Sequence, residues 1–166
     1  MFIQQLRKFF LIVVIIATIL LTYLWYDDYT FALNPLSKDI QKKIYKKHQE
    51  LQYLTYKYFK IKRVFPIIVT DELDASKFGM AVYSQNRQIN IYLNKNRFKE
   101  NENYMIDDVI PHEYAHAIMF ALGNFSNENN GHPKMWQDIC KKLNGLRCDR
   151  FVNHKDILIE KTNIFK

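Results

Sequence analysis

Residues 110–117 read Ile110-Pro111-His112-Glu113-Tyr114-Ala115-His116-Ala117. They continue an apolar period begun by Met105, Ile106 and Val109 and closed by Phe120, the spacing of an amphipathic helix. His112 and His116 stand one turn apart on the same face, so both imidazoles can reach one tetrahedral ion at about 2.0–2.1 Å. Glu113 lies too far round the helix to be a comfortable third ligand. It is well placed beside a zinc-bound water, where it can take a proton and pass it to a leaving amine. The competing explanation is a helix whose histidines merely sit at the surface. Their position on the apolar face argues against it, because two core histidines without a shared ligand would each need a separate hydrogen-bond partner.

A catalytic zinc site needs a third protein ligand and a position left for water. The compact His-x-x-Gly-x-x-His continuation is absent, since Met119 and Leu122 occupy those places. Glu128, His132 and His154 remain as candidates downstream. His132 follows a polar loop over 124–131, begins a helix, and shares a face with Trp136, Ile139, Cys140 and Leu143. It is therefore the preferred third ligand. Glu128 lies in an Asn-rich loop with nothing to fix it. His48 sits among lysines and reads as a solvated side chain. Tyr83, Arg150 and His154 are within reach of assisting the chemistry, but nothing in the sequence commits any of them.

Upstream of the motif, three short strand signals run over 67–69, 78–84 and 88–93. In the last, Ile89, Ile91 and Leu93 alternate with polar or amphipathic residues, as a sheet with one buried face requires. Gln85-Asn86-Arg87 is short enough to close a hairpin. Before the strands, Ser37 is an N-cap signal for a helix over about 38–60, which Phe65-Pro66 stops. Pro111 removes an amide from the middle of the motif helix, so a kink or a later start is expected there. Gly123 and Asn144-Gly145 are the helix-stop signals.

The chain has 166 residues, enough for one modest domain. Residues 9–26 carry no charge, Gly or Pro across eighteen positions, about 27 Å as a helix. Arg7 and Lys8 precede this run, and Tyr23, Trp25 and Tyr26 suit an interfacial belt. A cleaved signal peptide would be shorter and followed by small residues, for which Thr30-Phe31-Ala32 is a poor match. A retained membrane anchor over 1–26 is expected, followed by a linker over 27–37. The net charge is +7. It is concentrated in residues 38–63, where nine Lys/Arg face two acids, whereas residues 64–166 balance at thirteen of each sign. That basic segment suits either a solvated helix face or anionic lipid headgroups. A neutral catalytic half argues against nucleic acid as a partner. Cys140 and Cys148 fit neither a multi-bridge framework nor a zinc ribbon; they could pair in an oxidising compartment, or Cys140 could be core.

Residues 110–117, together with Gly131-His132-Pro133-Lys134-Met135-Trp136, resemble the SprT-like family of zinc metallopeptidases. Phe65-Pro66, Gly79 and Ile91-Tyr92-Leu93-Asn94 match that family's small sheet, and the similarity spans roughly 38–160. The resemblance implies zinc-dependent hydrolysis of peptide bonds in a protein or peptide substrate, with His112, His116 and His132 on the metal and Glu113 as base. Two departures are plain: the paired cysteines of a C-terminal zinc ribbon are missing, and an apolar segment precedes the domain. The family is mostly soluble and often linked to DNA, so a DNA-stimulated protease and a zinc-holding interaction module are the alternatives to a membrane-anchored protease. The expected fold is α+β: a transmembrane helix, a helix, a three-stranded sheet and two helices bearing zinc ligands, with the metallopeptidase domain over 38–166. Charges flanking the apolar run favour the extracytoplasmic side for that domain, and the lysine-rich helix favours the reverse.

Overall fold

The computed structural model describes residues 2–125 and 131–148. The chain divides into two units at Leu36/Ser37. The first is a single helix, α1 (Phe2–Leu33), with no buried residue and a mean hydropathy of 2.5 across its most apolar eighteen-residue window. By length and composition it is able to cross a membrane. It runs past the apolar stretch, so residues 27–33 are helical as well. Within this apolar helix, the Thr18 and Thr22 hydroxyls donate to the carbonyls of Val14 and Thr18 at 2.8 and 2.7 Å. Each polar side chain is thereby satisfied by its own helix.

The second unit is a mixed α+β structure. Its first helix, α2 (Lys38–Phe59), is capped by Ser37, whose hydroxyl accepts from the Ile40 amide at 3.3 Å. Lys60 ends it in a left-handed conformation, φ 58°. Ile44, Leu51, Leu54 and Thr55 form the buried stripe. His48 is not the solvated residue expected from its lysine neighbours. It is half-buried, its ring 5.8 Å from that of Tyr114, and burial holds its pKa below the ordinary value. The adjacent Lys47 bridges Glu50 and Asp107 at 3.2 and 3.0 Å, which draws this side of α2 towards the protein.

β3 (Ile89–Asn94) is the central strand of the sheet. It pairs in parallel with β1 (Ile67–Thr70) and antiparallel with β2 (Gly79–Tyr83), giving the order β1-β3-β2. Ile89, Ile91 and Leu93 are all buried, which is the expected alternation. Gly79 pairs with Leu93 and Tyr83 with Ile89. The hairpin turns at Gln85-Asn86-Arg87, with Arg87 at φ 63°. At the end of β3, Asn94 caps a helix with no hydrophobic period, α3 (Lys95–Glu100). Its amide also donates to the carbonyl of Lys77 at 2.9 Å, tying down the approach to β2. Arg97 pairs with Glu100 and lies 4.8 Å over the Phe78 ring.

A short turn, α4 (Glu102–Tyr104), capped by Asn101, leads into a π-helical turn at Met105–Val109 and then α5 (Ile110–Ala121). The expected disturbance at Pro111 takes this form. The Ile110 amide reaches back five residues to the Met105 carbonyl, and the proline follows within the first turn of α5. A widened turn gives the ring the room that an unbroken α-helix would deny it. α5 packs against β2, β3, α2 and α6 (Lys134–Lys142). Its Ile110, Tyr114, Ala115, Ala117 and Ile118 are wholly buried. At 0.8 kcal/mol or so per methylene, this central helix contributes much of the apolar stabilisation.

Candidate metal centre

His112 and His116 project from α5 on one face, and His132 enters from the segment immediately before α6. The three rings converge, with centroids 5.1 Å apart for His112 and His116, 4.7 Å for His112 and His132, and 5.0 Å for His116 and His132. The Nε2 atoms of His112 and His132 lie 3.0 Å apart. One potential donor nitrogen from each residue falls within 4.8 Å of the other two. Burial, reinforced by the neighbouring histidines, lowers the pKa of His112 to about 2 and that of His116 to about 4. Both imidazoles are therefore neutral at pH 7 and carry free lone pairs. Three imidazole nitrogens converging in one corner fit a zinc ion.

Trp136, fully buried, holds this corner together. Its ring lies 4.7, 5.1 and 4.1 Å from those of His112, His116 and His132. α6 thus braces all three imidazoles with a single side chain. The far end of α6 is fixed by a Cys140–Cys148 disulfide, so the two cysteines pair. Gly145 is needed beside it: a Cβ there would stand 2.5 Å from the Cys140 sulfur and 2.9 Å from that of Cys148.

Glu113 is buried at the base of the same cleft. One carboxylate oxygen accepts from the backbone N–H of Ala81 on β2 at 3.0 Å. Burial pushes its pKa up to about 7, and the Ala81 amide pulls in the opposite direction. Gly79 makes this placement possible, since a Cβ at that position would meet the Glu113 Cγ at 2.8 Å and the Tyr92 carbonyl oxygen at 3.1 Å. These two contributions from β2 were missed in the sequence. The signal available was a lone glycine within a strand, which marks close approach of another group. The cleft between β2 and α5 encloses about 340 Å³ and is lined by Gly79, Ala81, His112, Glu113, His116 and His132, among others.

Of the other candidates, Tyr83 stands at the far end of β2, its ring against Phe120 and Phe125 at 6.3 and 4.9 Å. His48 lies against Tyr114, on the side of α5 that packs on α2. Glu128, Arg150 and His154 lie outside the described residues. Among those described, His112, His116 and His132 are the grouping able to hold a metal ion.

A cluster of three histidines on a mixed α+β scaffold, with a buried glutamate beside it, defines a domain able to hold a metal ion. The SprT-like family model matches residues 47–157, and the chain belongs to that family. No curated protein and no solved structure matches it.

Proposed function

We propose that this protein is a zinc metallopeptidase, held to a membrane by α1, that cleaves peptide bonds in protein substrates. The observation that carries this is the juxtaposition of Glu113, buried and fixed by the Ala81 amide, with three imidazoles in one cleft. A module that only held zinc would have no use for a carboxylate in that position. His112, His116 and His132 would hold the ion, which supplies Lewis acidity towards water and the substrate carbonyl. Glu113 accepts the proton of the attacking water and delivers it to the departing amine. The 3.0 Å hydrogen bond from Ala81 keeps the carboxylate aimed while it does so. β2 is an edge strand, so the substrate has open access to this side of the cleft.

α1 supports a single-pass anchor. The disulfide favours an oxidising compartment for the second unit, in agreement with Arg7 and Lys8 marking a cytoplasmic N-terminus. Lys38, Lys42 and Lys46 lie on the exposed side of α2, and anionic lipid headgroups are their proposed partners.

The test compares the full-length protein with Glu113→Gln on an unfolded casein-type substrate. We expect wild type to cleave it in a zinc-dependent manner and the variant to lose activity while keeping its zinc. Equal activity in the two proteins rejects the peptidase assignment.

A further inference from the structure

β2 and α5 face each other across the cleft with a graded set of side chains. Residues 79, 81 and 83 of β2 share one face of the strand. Gly79 approaches Glu113, Ala81 donates to the same carboxylate, and Tyr83 packs against Phe120. The cleft is therefore floored by small residues at its catalytic centre and ends in aromatic ones. Phe120 lines it directly. Phe125, from the turn after α5, stacks on Phe120 with centroids 5.9 Å apart and an interplanar angle of 16°, and meets Tyr83 edge-on. Although the three rings touch one another, Tyr83 remains 38% and Phe125 53% exposed. Ser76 and Lys77, which precede β2, also line the cleft. An exposed aromatic cluster continuous with a cleft is a place for an apolar group to bind.

We propose that Tyr83, Phe120 and Phe125 form a subsite for a bulky apolar side chain of the substrate. This rests on the peptidase assignment. Seven residues of α5 separate Glu113 from Phe120, about 10 Å along the helix axis. An extended peptide advances about 3.3 Å per residue, so the bound side chain belongs to a residue two or three positions from the scissile bond. Large apolar side chains are buried in folded proteins and exposed in unfolded ones. The subsite thereby directs the enzyme towards unfolded or partly unfolded chains.

The test uses the zinc-loaded full-length protein in detergent and two series of internally quenched peptides. These are identical except for Phe or Asp placed in turn at each of three positions on either side of a fixed bond. We expect kcat/KM for the Phe peptide to exceed that for its Asp partner by at least tenfold at one position. The Tyr83→Ser/Phe125→Ser double variant should bring that ratio to within threefold of unity, with its zinc content unchanged. A wild-type ratio near one at every position, or a double variant that keeps the full ratio, overturns the subsite. If wild type cleaves neither series nor the casein-type substrate, the peptidase assignment has failed. Whenever the peptides are not cleaved, the subsite is judged by binding of dye-labelled peptides to Glu113→Gln. Preference for Phe over Asp by fivefold or more, abolished by the double substitution, then upholds it, and equal affinities reject it.

Discussion

Replacing Gly79 with alanine adds one methyl group to the wall of the cleft, and the structure fixes where that methyl goes. It would lie 2.8 Å from the Cγ of Glu113, 3.1 Å from the Tyr92 carbonyl oxygen and 3.2 Å from a Val109 methyl. Tyr92 belongs to the central strand, bonded on both sides, so its carbonyl cannot retreat. Glu113 is left to move. Restoring an ordinary carbon–carbon contact of 3.4 to 4.0 Å displaces its side chain by 0.6 to 1.2 Å. Misplacing a catalytic group by about 1 Å costs on the order of 100-fold in rate, and overpacking costs about 1–3 kcal/mol of stability. We therefore expect Gly79→Ala to lower kcat on a casein-type substrate by about 100-fold, with zinc still bound because no imidazole is touched. Parallel measurements of turnover, zinc content and the thermal midpoint separate the two effects. Wild-type turnover in a folded Gly79→Ala protein would refute the idea that β2 positions the glutamate.

Three further outcomes follow from the same geometry. Trp136→Ala removes the ring that all three imidazoles share and should weaken zinc affinity by about 10–100-fold, whereas Trp136→Phe should retain most of it; competition with a chromogenic chelator measures both. Gly145→Ala places a methyl group against both sulfurs, so thiol titration of the unfolded, non-reduced protein should find two free cysteines where wild type has none. Loss of this short loop closure lowers stability by about 2.5 kcal/mol in the chain-entropy account. Acid should destabilise the zinc-free protein. The folded state keeps His112 neutral down to about pH 2, while the unfolded chain takes up that proton below about pH 6.5. Stability therefore falls as pH drops through 6.5, by about 2 kcal/mol at pH 5 from each of His112 and His116. Glu113 contributes about 2 kcal/mol in the opposite direction, since its raised pKa favours the folded state below pH 7. Urea midpoints of the zinc-free protein at pH 7 and pH 5 check this, and equal midpoints contradict it.

The elements that the sequence disclosed are those with a strict period. β3 announced itself by alternation, α5 by its apolar face, and the His112/His116 pair by a four-residue spacing that means one turn of helix. His132 was legible because Trp136 and Leu143 oriented the helix that follows it. α3 was not, since Lys95 to Glu100 is too short and too polar to show a period, and its cap is an asparagine that also ends a strand. The contribution of Ala81 could not have been read, because every residue but proline offers the same backbone N–H. His48 was misjudged for a related reason: lysines flank it in sequence, whereas across the fold it faces Tyr114.

Metal content of the purified full-length protein is the most direct test of the account. Wild type and Glu113→Gln should each carry one zinc per chain, and His132→Ala should carry none while remaining folded by circular dichroism. Full zinc occupancy in His132→Ala would contradict the three-histidine site and, with it, the catalytic role given to Glu113.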